Sequence, residues 1–402
     1  MKSAFKATRI CDGVYWVGAI DWAVRDFHGY LVPRGTTYNA FLVLADKVAL
    51  IDTVKGPFAS EMMARIASVI DPADIDYIVA NHAEPDHSGA LGETIRAVRP
   101  EKVFTSVRGV ETFAQHFADL GELTGVPDGG SISLGNMSLT CRETRLCHWP
   151  ESMITWLPDR GVLFSQDAFG EHLASSERFD DELPLDLLDH EAAKYFANIL
   201  MPLATFIGKT LDKLDEAKLP VQILAPDHGP VRRTHIQRII DQYRRWAGPQ
   251  RTRKAVVVYD TMWGSSDLMA RAVGEGLASG GSPVRLMPMS GAHRSDVAAE
   301  LLDAGAFVVA SPTINNSVFP TIADVLCYVK GLKPKGLIGA AIGSFGWSGE
   351  AIRELTDLLT AMKVELIGEP IRSRFAPTDA VLAECYALGQ SLAAKLKERT
   401  GE

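Results

Sequence analysis

The chain of 402 residues is poor in the features that most quickly classify a sequence. Its five cysteines, Cys11, Cys141, Cys147, Cys327 and Cys385, are odd in number, scattered and without a CxxC pair. That excludes a built-in rubredoxin-type iron–sulfur module and a disulfide framework, and reads as reduced thiols in a cytoplasmic protein. No run approaches the roughly 18 apolar residues of a membrane-spanning helix. The opening MKSAFKATRICDGVYWVG has no unbroken apolar stretch and no small-residue cleavage site, so it does not read as a secretory leader. An excess of positive charge is also missing. With 41 Lys and Arg against 50 Asp and Glu, the net charge of -9 argues against a general nucleic-acid binder.

What is present is an ordinary globular composition, 47% hydrophobic and 23% charged, in a chain too long for one core. The first 250 residues alternate short strands, turns and helices. Phe41-Leu-Val-Leu and Val48-Ala-Leu-Ile51 read as a buried hairpin, Tyr77–Ala80 as a buried strand, and 137–141, 153–157 and 162–165 as further strands. Helices are expected over 58–70 and 109–120, which suggests two sheets covered by helices. The charged segment 244–254, with its Gly-Pro, marks a boundary between domains at 1–250 and 251–402. Beyond it five strands alternate with five helices in a regular rhythm, the pattern of a doubly wound parallel sheet.

The strongest local signal is Asn81-His82-Ala83-Glu84-Pro85-Asp86-His87. Two imidazoles and two carboxylates, with no thiolate, suit iron, manganese or zinc and not a soft metal. Crowded together without a cation, four such groups would repel one another or stay unpaired. Three other patches share this character: His148 in Cys147-His-Trp-Pro, Asp167 at the end of a short strand, and Asp227-His228 between prolines. Alone, His148 would be an ordinary structural histidine and Asp167 a helix cap. His28, His116, His172, His190, His235 and His293 lack the setting and read mostly as surface or core residues.

In the C-terminal half, the strand at 255–259 runs into Thr261-Met262-Trp263-Gly264-Ser265-Ser266 and then a helix. The loop is neither a Walker A sequence nor a GxGxxG fingerprint. Hydroxyls and backbone N–H groups at a helix N-terminus instead suit a phosphate without lysine, as in FMN. Two later strand ends supply Pro312-Thr313-Ile314-Asn315 and Ser344-Phe345-Gly346-Trp347-Ser348-Gly349. Ligands of doubly wound sheets lie outside the carboxyl ends of the strands, where Trp347 would stack on a flat ring. No second mononucleotide fold follows, so the flavin expected is FMN and not FAD.

The order H-x-E-x-D-H, then His148, Asp167 and His228, resembles the metallo-β-lactamase fold, in which the second ligand is ordinarily His and the metal zinc. With Glu84, HWPESM at 148–153 and the flavodoxin-like half, the whole chain resembles the flavodiiron proteins. GAIDW (18–22), DFHGY (26–30), GTTYNA (35–40), ASSERF (174–179) and SPT (311–313) point within that family to the oxygen reductases served by rubredoxin. The resemblance implies a metallo-β-lactamase-like αββα sandwich followed by a flavodoxin-like doubly wound parallel sheet, holding two iron ions and FMN. It assigns His82, Glu84 and His148 to one iron, Asp86 and His228 to the other with His87 as ligand or near-ligand, and Asp167 to both. It places His28 and Tyr30 beside the substrate pocket. It implies a separate small electron donor such as rubredoxin, since the chain ends just past its last helix. It further implies dioxygen or nitric oxide as substrate, with a tilt toward oxygen. The expected assembly is a head-to-tail homodimer or a dimer of dimers, with no nucleic-acid or membrane partner. The competing reading is a zinc hydrolase with an accessory flavodoxin domain, which Glu84 disfavours.

Overall fold

The structure is a computed structural model that describes residues 4–248 and 250–401; Pro249 of the boundary segment lies outside the described residues. The chain forms two compact units. The first comprises the residues up to His28, Val32–Tyr195 and Leu203–Arg244; the second comprises Gly29–Leu31, Phe196–Pro202 and the residues from Arg245. Two short pieces of the N-terminal half thus count with the C-terminal unit. Their contacts explain it: the Leu31 N–H donates to Ser295 Oγ (3.2 Å), Asn198 Nδ2 to the Ser295 carbonyl (3.1 Å) and Tyr328 OH to Asn198 Oδ1 (2.7 Å).

The first unit is built on a seven-stranded and a five-stranded sheet. Phe41–Val43 pairs antiparallel with Val48–Ile51 as the hairpin pattern requires, and Ile75–Val79 and Lys102–Ser106 extend the sheet in parallel. The second sheet runs through Ser138–Glu143, Met153–Leu157, Val162–Gln166 and Ile223–Pro226. Alternate residues of each strand face opposite ways. Phe41, Val43 and Ile51 therefore meet Leu139, Phe164 and Ala225 in a core shared by the two sheets. Leu42, Leu50 and Ile78 pack on the opposite face with Met62, Ile66 and Leu91 of the helices Ala59–Ile66 and Leu91–Val98. Each such fully buried aliphatic or aromatic side chain contributes about 1.5–3 kcal/mol. The helix expected over 109–120 begins earlier, at Val107, because the Ser106 hydroxyl accepts the Gly109 N–H (3.0 Å) and caps it.

The second unit has a parallel sheet in which Ala255–Tyr259 lies between Val284–Pro288 and Ala306–Pro312, followed by Ile338–Phe345 and Glu365–Leu366. This is the 2-1-3-4-5 order of doubly wound sheets. Val256 and Val258 face one core and Val257 and Tyr259 the other, which is why the strand reads as a continuous apolar run. A further strand, Ile371–Arg374, pairs with the outer half of Ile338–Phe345. Sequence reading passed over it because two of its four residues are arginine. All five cysteines are free.

Candidate metal centre and flavin groove

Residues 80–84 follow the strand Ile75–Val79, and Pro85 then opens the short helix Pro85–Ser88. His148 lies on the turn ahead of Met153–Leu157, Asp167 just past Val162–Gln166, and His228 just past Ile223–Pro226. Strand ends from both sheets therefore converge. His148 Nε2 is 2.8 Å from Glu84 Oε2 and 2.9 Å from Asp167 Oδ2, and His82 Nε2 is 3.4 Å from the same Asp167 oxygen. The other Asp167 oxygen, Oδ1, faces His87 Nε2 (3.2 Å) and His228 Nε2 (3.7 Å). Asp86 Oδ2 lies 3.2 Å from His228 Nε2 and 3.4 Å from His87 Nε2. All seven sequence-selected donors come together in overlapping clusters, one of which also includes Asp227, and Asp167 turns Oδ2 toward His82 and His148 and Oδ1 toward His87 and His228.

Buried polar atoms are nearly always hydrogen-bonded, yet both nitrogens of His82, both oxygens of Asp86 and Oδ1 of Asp167 have no partner. Leaving such a group orphaned costs about 1–3 kcal/mol. A pair of cations would satisfy those that face inward, Nε2 of His82 and the oxygens of Asp86 and Asp167, so the donor set fits two metal ions. Electrostatics agree. Burial disfavours charge on His82, but Asp167, Glu84 and Asp52 outweigh it and raise its pKa to about 9. For His148 burial is likewise outweighed, by hydrogen bonds that its ring N–H donates to Asp167 and Glu84, with a rise to about 10. Against its own burial, Asp167 is held well below the carboxylate range by His82 and His148. In each case the site is tuned for positive charge beside its carboxylates.

The two pocket residues expected from the sequence separate. His28 is largely exposed, with Nε2 3.6 Å from Glu84 Oε1. Tyr30 is buried and belongs to the second unit. The residues around the donors were largely missed. His172, read from sequence as an ordinary histidine, lies with its ring 4.5 Å from that of His228, and Thr36 Oγ1 is 2.8 Å from its Nδ1 and 3.2 Å from Nδ1 of His228. Gln166, at φ +49°, accepts the Asp167 N–H through its side-chain oxygen and donates to the Cys147 carbonyl, tying two donor segments together. Asn39 donates to the carbonyls of Pro226 and Gly229 on either side of His228 (2.7 and 3.0 Å). The only sequence hint of these was the GTTYNA stretch.

In the second unit a groove of about 690 Å³ opens at the carboxyl ends of the strands. It is lined by Thr261, Met262, Trp263 and Ser265, by Pro312–Asn315 and by Ser344–Ser348. Gly264, Ser266 and Gly349 are not among its lining residues. Ser266 is buried with its hydroxyl 3.2 Å from Ser344 Oγ, and Gly264, at φ +86°, makes the turn into the helix Ser265–Ser279. Asn316, the last residue of the strand-end stretch that begins at Ser311, joins the wall, and so does Phe375, which was not anticipated. Trp263 and Trp347 are 93% and 89% exposed, and Thr313 Oγ1 is buried without a partner. Two indoles, hydroxyls at a helix N-terminus and an orphaned hydroxyl fit a ring-bearing phosphate such as FMN.

Comparison with known proteins agrees with both halves. Residues 36–229 match the family described as ODP family beta lactamase, and residues 257–389 match Flavodoxin. The chain is 44% identical over 393 residues to a nitric oxide reductase of Moorella thermoacetica, covering 97% of this chain and 98% of that protein. It is 43% identical over 398 residues to a rubredoxin-oxygen oxidoreductase of Megalodesulfovibrio gigas, covering 98% and 99%. The crystal structure of the flavodiiron protein from Giardia intestinalis superimposes with a TM-score of 0.96 at 32% identity, over 100% of this chain and 99% of that one. The chain belongs to the flavodiiron protein family, oxidoreductases that join an FMN-binding flavodoxin-like half to a diiron-binding β-lactamase-like half.

Proposed function

We propose that this chain is a terminal reductase that takes electrons from a rubredoxin-type donor and reduces dioxygen to water. The observation that carries the metal assignment is Asp167, whose two oxygens face separate donor groups. In this reading His82, Glu84 and His148 would hold one iron, Asp86, His87 and His228 the other, and Asp167 would offer an oxygen to each. Paired ferrous ions would supply electrons to a bound diatomic, and FMN would store electrons that arrive singly. Glu84 adds a negative charge where hydrolases of this fold carry a neutral imidazole, which favours a redox metal over a static Lewis acid. The rings of Phe27, Tyr38 and Tyr195, at 6.4, 6.0 and 5.9 Å from that of His228, give this side of the donors an aromatic surround that would suit a small apolar gas.

In the groove, Thr261, Ser265 and the N-terminal N–H groups of Ser265–Ser279 would take the FMN phosphate, and Trp347 would cover the ring. The exposed indoles of Trp263 and Trp347 leave room for a donor protein or the neighbouring subunit of a head-to-tail homodimer. Domain limits of 1–250 and 251–402 and a cytoplasmic location belong to the same reading; no helix among the described residues is long and apolar enough to cross a membrane. A second reading, reduction of nitric oxide to nitrous oxide, is favoured by the 44% identity to the Moorella protein. Anaerobic assay of the reduced holoprotein against each gas, with rubredoxin as donor, decides: faster turnover of oxygen upholds the proposal, and faster turnover of nitric oxide replaces it.

A further inference from the structure

We infer that Asp227 is a positioning residue of the metal centre, its carboxylate accepting the outer N–H of both His82 and His87 and so aiming their inner nitrogens at the donor set. The inference rests on the two-iron reading and concerns a residue outside the seven donors. Asp227 is fully buried, and its backbone is pinned on both sides: its N–H donates to the Gln166 carbonyl (2.9 Å) and its carbonyl accepts the Asn39 N–H (2.7 Å). Neither side-chain oxygen has a hydrogen-bond partner. One of them, Oδ2, lies 3.6 Å from His82 Nδ1 and 3.8 Å from His87 Nδ1, and those two nitrogens are themselves without partners. Three orphaned groups thus meet at one point behind the centre. The gaps exceed a hydrogen bond by about half an ångström, which a small rotation of the carboxylate or the rings closes.

The other nearby carboxylates are engaged elsewhere or lie on the opposite side of the rings. Asp52 uses both oxygens on Asn81, accepting from its backbone N–H (2.7 Å) and its side-chain amide (2.5 Å). Glu151 takes the Ala83 N–H at 3.0 Å. Asp86 and Asp167 lie on the inner side of the imidazoles, toward Nε2. His228 shows the same design with a different acceptor: its outer Nδ1 lies 2.6 Å from the Thr37 carbonyl. An outward N–H held by an acceptor fixes the tautomer, leaves the inner lone pair free for metal and makes the ring a better donor. Because His82 and His87 sit in different donor groups, one carboxylate steadies both halves of the centre.

The test uses iron-loaded full-length protein with Asp227→Ala and Asp227→Asn. Iron affinity is read by competition with a chromogenic chelator, and Mössbauer spectra of the ⁵⁷Fe-loaded protein report both iron environments. FMN content and thermal unfolding report folding; should the alanine variant not fold, the near-isosteric asparagine variant carries the test. The expected result is two irons per chain at saturation, with affinity lowered about 10–100-fold in Asp227→Ala and less in Asp227→Asn, and altered spectra for both irons. Unchanged affinity and spectra in both folded variants would overturn the inference. So would loss of one whole iron at saturation, because Asp227 would then be a ligand. Wild-type protein that binds no iron would instead sink the two-iron reading itself.

Discussion

In the N-terminal unit all the candidate metal donors but the partly exposed His148 are buried, and much of their hydrogen-bonding capacity is orphaned. In the C-terminal unit the groove is the reverse: its indoles stand in solvent, and its backbone turns are satisfied within the loops, as where Thr261 Oγ1 accepts the Gly264 N–H. The difference follows from chemistry. A metal site needs charged donors held close together, which only burial and many outer contacts can enforce. A flavin brings its own large apolar surface and phosphate, so short loops at strand ends suffice.

This contrast makes predictions that separate the two halves. Asp167→Ala should abolish stoichiometric iron binding and lower gas reduction by more than the roughly hundredfold loss typical of an outer partner, while FMN absorbance stays unchanged. Loss of both cofactors together would break the contrast. A second effect concerns buried charge. Glu171 is pushed up to about 7 by burial, with Arg232 opposing and Glu191 and Asp180 adding to the rise. Between the ordinary carboxylate value of 4.5 and about 7 the folded chain holds a proton that the unfolded chain releases. Stability from this group is therefore present below 4.5 and lost as pH rises through 7, by about 3 kcal/mol in all. Denaturant midpoints measured across that range should show the fall, and Glu171→Gln should flatten it.

On the flavin side, Trp347→Ala should weaken FMN binding about tenfold in a fluorescence titration, without change in iron content. The smallest effect is expected at His28, whose exposed imidazole sits 3.6 Å from Glu84. His28→Ala should leave iron stoichiometry intact and lower turnover by no more than a few-fold, as for an exposed ion pair worth about 0–1 kcal/mol. A larger loss of iron would move His28 into the buried design of the centre.

How far each region could be read in advance differs in the same way. The cluster of seven donor-type side chains was legible because His82, Glu84, Asp86 and His87 crowd a stretch too short for chance packing, Asp167 and His228 follow apolar strands, and His148 stands in a tight apolar-aromatic stretch. The groove was legible from three strand-end loops, although Phe375, on a turn after a short strand of mixed polarity, carried no signal. His172 and Gln166 were not legible. A lone histidine and a glutamine at a strand end have no local pattern, and their importance comes from neighbours distant in the chain.

Residue order alone determined the kinds of donor, the two-part organisation and the alternation of strand and helix in the C-terminal half, because these depend on local side-chain chemistry and period. Pairing of strands distant in sequence decided the rest. It set which donors share an oxygen of Asp167, which acceptor faces the outer nitrogens of His82 and His87, and that Gly29–Leu31 and Phe196–Pro202 count with the C-terminal unit. Those facts depend on register and burial, and both are properties of the packed sheets rather than of any one stretch of chain.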